Sequence, residues 1–295
     1  MAGITQKLAK AVLSLLTVSA LAQPARLDPT KPEQAFQASR KLVASTLAGE
    51  ASWYFWQGRT YSRVPGEKDR FLFGLLGMSV RTSQDLDDPK KGKGFRLLSR
   101  EVMLFLDPVT GAVLRQWDNP FSGQRVEVLP VANDPVNPPP SWEREPGSMG
   151  LNGTFHGGMY LHQVCVPLFY PDPLGGAFQQ YVGGQYQALE IFNFAVPEED
   201  LLDAHRSGAR NVTISWMRVS KWMPWMAMGD RPGQLIFNAV GRRVERFEDL
   251  PELLRREIET NHPLFKVPPP LDDTRPSETS WTAFKRHKEK GASAK

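Results

Sequence analysis

Two compact turn sequences between short apolar runs constrain the fold of this chain most strongly. The first is Asp107-Pro108-Val109-Thr110-Gly111, and the second is Asn119-Pro120-Phe121-Ser122-Gly123. Each begins with Asx-Pro and ends with glycine, which is the chemistry of a tight reversal. The flanking segments 95–106, 112–117 and 125–131 are strand-like, so the sequence predicts an antiparallel meander over residues 95–131.

The rest of the chain also favours strands over helices. The same patterns predict strands at 52–64, 71–80, 151–169, 179–195, 212–219 and 234–240. Helices are expected at 32–48, 197–206 and 247–261, a charged loop at 84–94, and an irregular proline-rich loop at 133–150. We therefore expect a mainly β (α+β) fold: a curled antiparallel sheet or partial barrel with about three peripheral helices.

The first 22 residues have the three parts of a secretory signal. Lys7 and Lys10 supply the positive region, residues 11–22 are apolar, and Ala20-Leu21-Ala22 is a small-x-small cleavage pattern. A helix of this apolar length covers roughly 18 Å, too little for a bilayer core of about 30 Å. We predict a signal peptide at 1–22, one β-rich domain at 23–267 and a loosely ordered, proline-rich and basic tail at 268–295. The mature protein is then periplasmic or secreted, with no stable membrane insertion after cleavage.

The charge distribution argues against a nucleic-acid partner. The formal net charge is +4, but residues 285–295 hold five basic residues against Glu289 alone. The folded body therefore lacks the basic excess of a nucleic-acid-binding surface. The single cysteine, Cys165, lies in an apolar strand-like run, which is typical of a small buried side chain.

One candidate proton-transfer group lies in segment 156–162. If this segment is one strand, His156, Tyr160 and His162 project to the same face, and Glu190 lies in another strand. Two histidines and a carboxylate could bind a metal, but their spacing matches no specific zinc pattern, so we predict no metal site and no cofactor. Hydrogen-bonded structural roles are the plain alternative.

Further candidates lie in two polar or aromatic stretches. Residues 215–229 hold three Trp and four Met, which form either a core or the wall of an apolar pocket beside the cation Arg218. In Asn133-Asp134-Pro135-Val136-Asn137, turn chemistry competes with the presentation of polar groups to a ligand. The proposed ligand contacts are Asn133, Asn137, Tyr170, Trp222, Trp225 and Met226, with Asp134 as an orienting carboxylate. In Ser99-Arg100-Glu101, a buried Arg–Glu pair is more often structural than catalytic.

Several of these motifs together resemble a known family. They are Ser99-Arg100-Glu101-Val102, Trp117-x-Asn119-Pro120, Tyr170-Pro171-x-Pro173-Leu174, and Trp222-x-Pro224-Trp225-Met226-x-Met228-Gly229. Over residues 50–268 the chain resembles the bacterial and fungal family of domain of unknown function 1838 (DUF1838). The resemblance implies no activity, cofactor or catalytic set. The family pattern has Asn where Asp172 stands.

The residues themselves favour an exported, cofactor-independent enzyme of isomerase, lyase or hydrolase type, acting on a small hydrophobic or aromatic molecule. His156, Tyr160 or His162 would move a proton, Asp134 or Glu190 would orient the base, and Arg218 would bind developing negative charge. A non-catalytic periplasmic carrier of a small apolar ligand is the alternative, and a structural protein without a pocket is the third.

Overall fold

The computed structural model describes residues 25–145 and 150–293. The predicted signal peptide at 1–22 lies outside the described residues. The described part of the chain is mainly β, with twelve strands and four α-helices, three of them of ten or more residues. This confirms the predicted fold class.

Six strands of eleven or more residues form most of the sheet of the described chain. The strands are β1 Ser52–Arg63, β2 Arg70–Asp88, β3 Gly92–Leu106, β4 Gln116–Asp118, β5 Arg125–Glu127, β6 Val131–Asn133, β7 Ser141–Trp142, β8 Thr154–His156, β9 Met159–Tyr170, β10 Tyr186–Pro197, β11 Thr213–Ser220 and β12 Gln234–Val244. The α-helices are α1 Pro32–Val43, α2 Glu198–Leu202, α3 Glu252–Asn261 and α4 Ser280–Ser293. None of the described helices has the length and apolar composition needed to cross a bilayer.

The sheet consists of two antiparallel meanders joined edge to edge. Its strand order is β6-β3-β2-β1-β12-β11-β10-β9-β8, with β7 added beside β3. Strands β1 and β12, which lie far apart in sequence, make the joint through eleven paired residues, from Trp53–Val244 to Arg63–Gln234. Within the described chain the edge strands do not pair with each other, so the curled sheet stays open.

Side-chain alternation gives the sheet two different faces. The inner face carries the larger core, which includes Tyr54, Phe73, Phe105 and Phe237 and is covered by α1 and α4. On the outer face, α3 packs against β1–β3 and the end of β12 through a second, smaller core. Because alternate residues of a strand project to opposite faces, β2 and β3 contribute to both cores and read as nearly continuous apolar runs.

Two of the sequence predictions between residues 84 and 133 need correction. The predicted charged loop at 84–94 is instead the tip of the β2–β3 hairpin, whose strands pair as far as Asp88–Gly92. The predicted meander over 95–131 is broken up: β4 and β5 form a separate two-stranded hairpin, and β6 pairs with β3. The polar side chains at the tip of the β2–β3 hairpin reach solvent, so this charged segment can still form paired strands.

The prediction of a loosely ordered tail from residue 268 is wrong. Residues 280–293 form α4, and Trp281 and Phe284 are buried in the inner core. Trp281 packs against Tyr186 at a ring-centroid distance of 4.1 Å, and Phe284 packs edge-on against Tyr181 at 5.0 Å. The basic residues of this segment lie on the solvent side of an amphipathic helix. The two aromatic residues on its other side anchor the helix to the core.

A partly buried ion network ties the segment before α4 to the sheet. The guanidinium of Arg100, 4% exposed, donates to Asp134 at 2.6 Å, and Arg275 donates to the same carboxylate at 3.0 Å. Arg275 also pairs with Asp273 at 2.7 Å. The backbone N–H of Glu278 donates to the carbonyl of Pro135 at 2.8 Å. Residues 273–281, here named the C-terminal strap, are therefore fixed against the loop 133–139.

The packing of α4 predicts a stability effect in the tail. We expect Phe284→Ala to lower the free energy of unfolding by about 3 kcal/mol, because it leaves a cavity in a filled core. The measurement is urea unfolding followed by far-UV circular dichroism. Val109→Ala, at a turn residue that is 90% exposed, is the control and should cost about 0.5 kcal/mol or less. Equal effects of the two substitutions would contradict a packed tail.

Candidate functional site

A cavity of about 500 Å³ lies between the inner face of the sheet and the C-terminal strap. One wall is apolar and comes from β9 and β10, with Val164, Val166, Leu168, Phe192 and Phe194. The facing wall comes from α1, β2 and β3, and the loop 136–139 and residues 277–281 border the cavity. The curl of the sheet thus brings β3 opposite β10 and β11, although these strands are four or five places apart in the strand order.

Strand alternation places Glu101 and Arg81 on the same cavity wall. Glu101 of β3 pairs with Ser79 of β2, whereas Arg81 pairs with Ser99, so the two charged residues are diagonal neighbours on the inner face. Diagonal neighbours are roughly 7–8 Å apart, within reach of long side chains. Both side chains line the cavity.

Neither charged end is neutralised by a contact within the described residues. Arg81 donates from Nε to the hydroxyl of Ser79 at 3.0 Å, and its guanidinium lies 4.5 Å from the ring centroid of Tyr54. Its terminal nitrogens make no hydrogen bond, and the carboxyl of Glu101 makes neither a hydrogen bond nor an ion pair, to any described residue. A guanidinium fork and a carboxyl therefore remain available on one wall of the cavity.

The opposite wall holds a second charge pair, whose two members hydrogen-bond each other. Arg218 donates to Glu190 at 2.8 Å and to the hydroxyl of Tyr186 at 2.6 Å. The guanidinium of Arg218 also lies 5.7 Å from the ring centroid of Trp281 in the first turn of α4. Glu190 and Arg218 are direct cross-strand partners, so the pairing of β10 with β11 fixes this group.

Burial and the neighbouring charges shift the pKa values of the charged residues on both cavity walls. Burial raises the pKa of Glu101 to about 7; Arg81 and Arg218 lower this pKa, and Glu190 raises it. Burial lowers the pKa of the Arg81 guanidinium. Burial also opposes the charge on Arg218, but Tyr186 and Glu190 raise its pKa overall. Near neutral pH, Glu101 can therefore exist both as an acid and as a carboxylate, while Arg218 stays charged.

Four further polar atoms on residues that line the cavity are buried and unpaired in the described structure. They are Oδ1 of Asn133, Nδ1 of His162, Nε of Arg218 and Nε1 of Trp281. Burial also lowers the pKa of His162, which favours the neutral ring, stacked between Tyr160 and Phe194. A buried polar atom without a partner costs roughly 1–3 kcal/mol. Such atoms are concentrated around a cavity that is otherwise largely apolar.

Six of the residues singled out from the sequence line this cavity. They are Asn133, Asn137, His162, Tyr170, Glu190 and Arg218. Asn137 also has a structural role. Its Oδ1 accepts a hydrogen bond from the backbone N–H of Ser99 at 3.1 Å, and its own backbone N–H donates to the hydroxyl of Ser277 at 2.9 Å. Tyr170 stacks on Tyr186 at 5.8 Å.

The predicted shared face of His156, Tyr160 and His162 does not exist for His156. A turn at Gly157-Gly158, both at positive φ, separates β8 from β9, so the three residues do not lie in one strand. His156 is exposed beyond the turn, whereas the Tyr160 ring is buried and its hydroxyl accepts from the N–H of Gly153 at 2.9 Å. Only His162 of this group reaches the cavity.

The remaining predicted residues also lie away from the cavity wall. Asp134 is engaged with Arg100 and Arg275 in the network described above. Trp225 packs edge-on against Phe105 and Trp117, and the indole N–H of Trp222 donates to the carbonyl of Arg231 at 3.0 Å. The main-chain carbonyl of Met226 accepts from Asn119 at 2.9 Å. The sequence offered two interpretations of the Trp and Met residues in 215–229, a core or a pocket wall. The structure shows that Trp222, Trp225 and Met226 belong to the core.

Sequence reasoning missed Arg81 and Glu101 as site residues. The Ser99-Arg100-Glu101 motif was interpreted as one buried pair, but neighbours in a strand project to opposite faces. Arg100 turns outward to Asp134, and Glu101 turns inward to the cavity. The signal that could have found Glu101 is its parity with Met103 and Phe105, because it places a charge in the apolar row of the inner face.

The fold and this site define an open antiparallel sheet curled around a charged, otherwise apolar cavity. A model of the family described as "Protein of unknown function (DUF1838)" matches residues 49–288, and the chain belongs to that family. The match confirms the resemblance seen in the motifs and extends it into α4.

Other comparisons add no functional information. No curated protein matches the chain. Among solved structures, Ail, the attachment invasion locus protein of Yersinia pestis, matches at 9% identity and a TM-score of 0.17, over 67% of this chain and all of that one. The same protein in complex with the heparin analogue sucrose octasulfate gives a TM-score of 0.16, with the same identity and coverage.

The raised pKa of Glu101 predicts how stability depends on pH. An acid whose pKa is higher in the folded than in the unfolded state stabilises the fold below its unfolded pKa. That contribution is lost as pH rises through the folded pKa. The contribution of Glu101 to the free energy of unfolding of the wild type should therefore decrease as pH rises from about 4.5 to 7.

Glu101→Gln should remove this fall, because glutamine imitates the neutral acid. Near pH 4.5 the two proteins should be about equally stable, and at pH 8 the variant should be more stable by roughly 1–3 kcal/mol. Urea unfolding of both proteins across this range measures the difference. Parallel curves would contradict a raised pKa at Glu101.

Proposed function

We propose that the protein is an enzyme that transfers a proton on a small, mainly apolar carbonyl compound bound in the cavity. The observation that carries this proposal is the unengaged carboxyl of Glu101 beside the unengaged guanidinium fork of Arg81, on one wall of an otherwise largely apolar cavity. A general base and a cation that can hold an oxyanion are the two groups that proton abstraction next to a carbonyl requires.

In the proposed step, the Glu101 carboxylate takes a proton from the carbon next to the carbonyl. The electron pair of the broken C–H bond moves onto the carbonyl oxygen, and the guanidinium of Arg81 stabilises the resulting enolate. Return of the proton to the same or another carbon of the enolate completes an exchange or an isomerisation. The raised pKa of Glu101 suits a group that must both accept and return a proton near neutral pH.

The other polar groups would position the reacting pair. The Arg218–Glu190–Tyr186 group is engaged within itself, so in this proposal it sets the local field at Glu101 and does not bind the oxyanion. Asn133 is the cross-strand neighbour of Glu101 and has an unpaired Oδ1 that a substrate hydroxyl could satisfy. The apolar wall of β9 and β10 would hold the body of the molecule.

Hydrogen–deuterium exchange tests the proposal without a known substrate. We expect the protein in D₂O to catalyse exchange at the carbon next to the carbonyl of 4-phenyl-2-butanone or 2-decanone, followed by proton NMR. Glu101→Gln should slow this exchange about 100-fold or more, and Arg81→Met by a similar factor, since each removes one of the two groups.

Glu248→Gln is the matched control, because it changes an exposed glutamate outside the cavity in the same way. It should keep the wild-type rate. Saturable binding of the ketones without exchange would contradict the enzyme and favour the carrier. Exchange that persists in Glu101→Gln would assign the proton to another group.

We also propose that the chain is exported and that its leader is removed. The support is the pattern of Lys7, Lys10 and the apolar run up to Ala22. The mature protein recovered from a bacterial periplasm or medium should begin at Gln23 in N-terminal sequencing and by intact mass. Recovery of the complete chain from the cytoplasm alone would contradict export.

A further inference from the structure

An apolar band crosses the outer face of the sheet, opposite the cavity. Each of six neighbouring strands contributes one residue, and each residue is the register partner of the next. In order from β9 to β2, the members of this outer band are Pro167, Leu189, Val219, Ile236, Tyr61 and Phe71.

Within the band, Pro167, Leu189 and Phe71 are exposed, and Val219, Ile236 and Tyr61 are half-buried. Helix α3 covers the outer face at β1–β3 and at the end of β12 only. Over the rest of that face, no described element covers the large apolar side chains. Phe169 is 54% exposed, Val240 59%, Leu161 45%, Leu189 40% and Met217 37%. Monomeric soluble proteins rarely expose a contiguous apolar surface of this kind without using it.

The charged residues that project outward from β1 and from β9–β12 are all basic. No acidic residue occupies an outward position in β1 or in β9–β12. The charged residues at these positions are Arg59, Arg63 and Arg242. Arg63 is paired with Asp69 at 2.7 Å, whereas Arg59 and Arg242 lie over the rings of Phe71 and Phe55, at 5.3 Å and 5.8 Å from the ring centroids.

We infer that this outer face is a peripheral docking surface for an anionic lipid bilayer. Leu189, Met217, Phe71 and Phe169 would enter the headgroup region, and Arg59 and Arg242 would meet the lipid phosphates with their stems along the apolar surface. A second copy of the chain fits less well, because a face without acidic side chains would place arginines against arginines. An anionic bilayer supplies both the apolar interior and the missing negative charge.

Vesicle co-sedimentation of the purified protein tests this surface. We expect binding to vesicles of phosphatidylcholine with about one quarter phosphatidylglycerol, and at least about tenfold weaker binding to pure phosphatidylcholine. Salt at about 0.5 M should weaken the binding, since it screens exposed charges. Equal binding to both kinds of vesicle, or none to either, would overturn the inference.

Two paired variants separate the apolar and the charged contributions. Phe169→Ser with Leu189→Ser should reduce binding at least about tenfold, because both side chains are already exposed and their loss changes the surface alone. Arg59→Gln with Arg242→Gln should reduce binding to the anionic vesicles by roughly 25-fold, about fivefold for each charge, and leave binding to pure phosphatidylcholine unchanged.

The matched control is Val109→Ser with Val267→Ser, which removes two apolar side chains that are at least as exposed, 90% and 55%, from other parts of the surface. It should bind vesicles as the wild type does. An equal loss in this control would overturn the assignment to the outer face. A concentration-dependent dimer that disappears in Phe169→Ser with Leu189→Ser would also overturn it, in favour of a second copy.

Discussion

The pairing of β1 with β12 is the constraint on which the rest of the structure depends. It joins two locally formed meanders, β1–β3 and β9–β12, into one sheet through eleven residue pairs. The entropic cost of bringing these distant segments together is met only once the whole ladder and its two cores form. The resulting curl sets Glu101 and Arg81 of one meander opposite Glu190 and Arg218 of the other. Neither meander contains the cavity alone.

The two charge groups of the cavity differ in how their burial is compensated. Arg218 donates hydrogen bonds to both Glu190 and Tyr186, as expected when charged groups must be buried for structural reasons. Arg81 and Glu101 are diagonal neighbours, yet they form no ion pair with each other or with any described residue. A fold selected for stability alone would gain by engaging them or by replacing them with apolar residues. Their unengaged state is the physical reason for placing the chemistry there and not at Arg218, which the sequence had favoured.

Local patterns predicted most of the long strands, three of the four α-helices of the described chain and six residues of the cavity, but not Arg81 and Glu101. The two glycines at 157 and 158 reverse the chain within what reads as one strand, and that reversal removed His156 from the expected face. Asp134 looked available in sequence because its partners, Arg100 and Arg275, come from distant segments. The tail was misjudged for a similar reason, since its two anchoring aromatics bury against Tyr181 and Tyr186 far from it in sequence. Sequence reasoning named Glu190 and Arg218 separately, and both reach the cavity because they take inward positions in strands that it had recognised; it did not predict that they pair across β10 and β11.

The two-residue period of the strands couples the cavity to the outer face. Leu189 of the outer band precedes Glu190 of the cavity, and Val219 follows Arg218, so the same short segments build both surfaces. A shift of register by one residue would turn core side chains such as Phe194 and Trp216 out to solvent, which makes the alternative pairing strongly unfavourable. The polar–apolar arrangement on each face therefore fixes the register. The two surfaces nonetheless remain separable by mutation, because a side chain on one face of the sheet makes no contact through the backbone layer with the ligand site on the other. If the outer face docks on a bilayer, a molecule that leaves the bilayer for the cavity has to pass around the sheet, because the backbone layer separates the two faces.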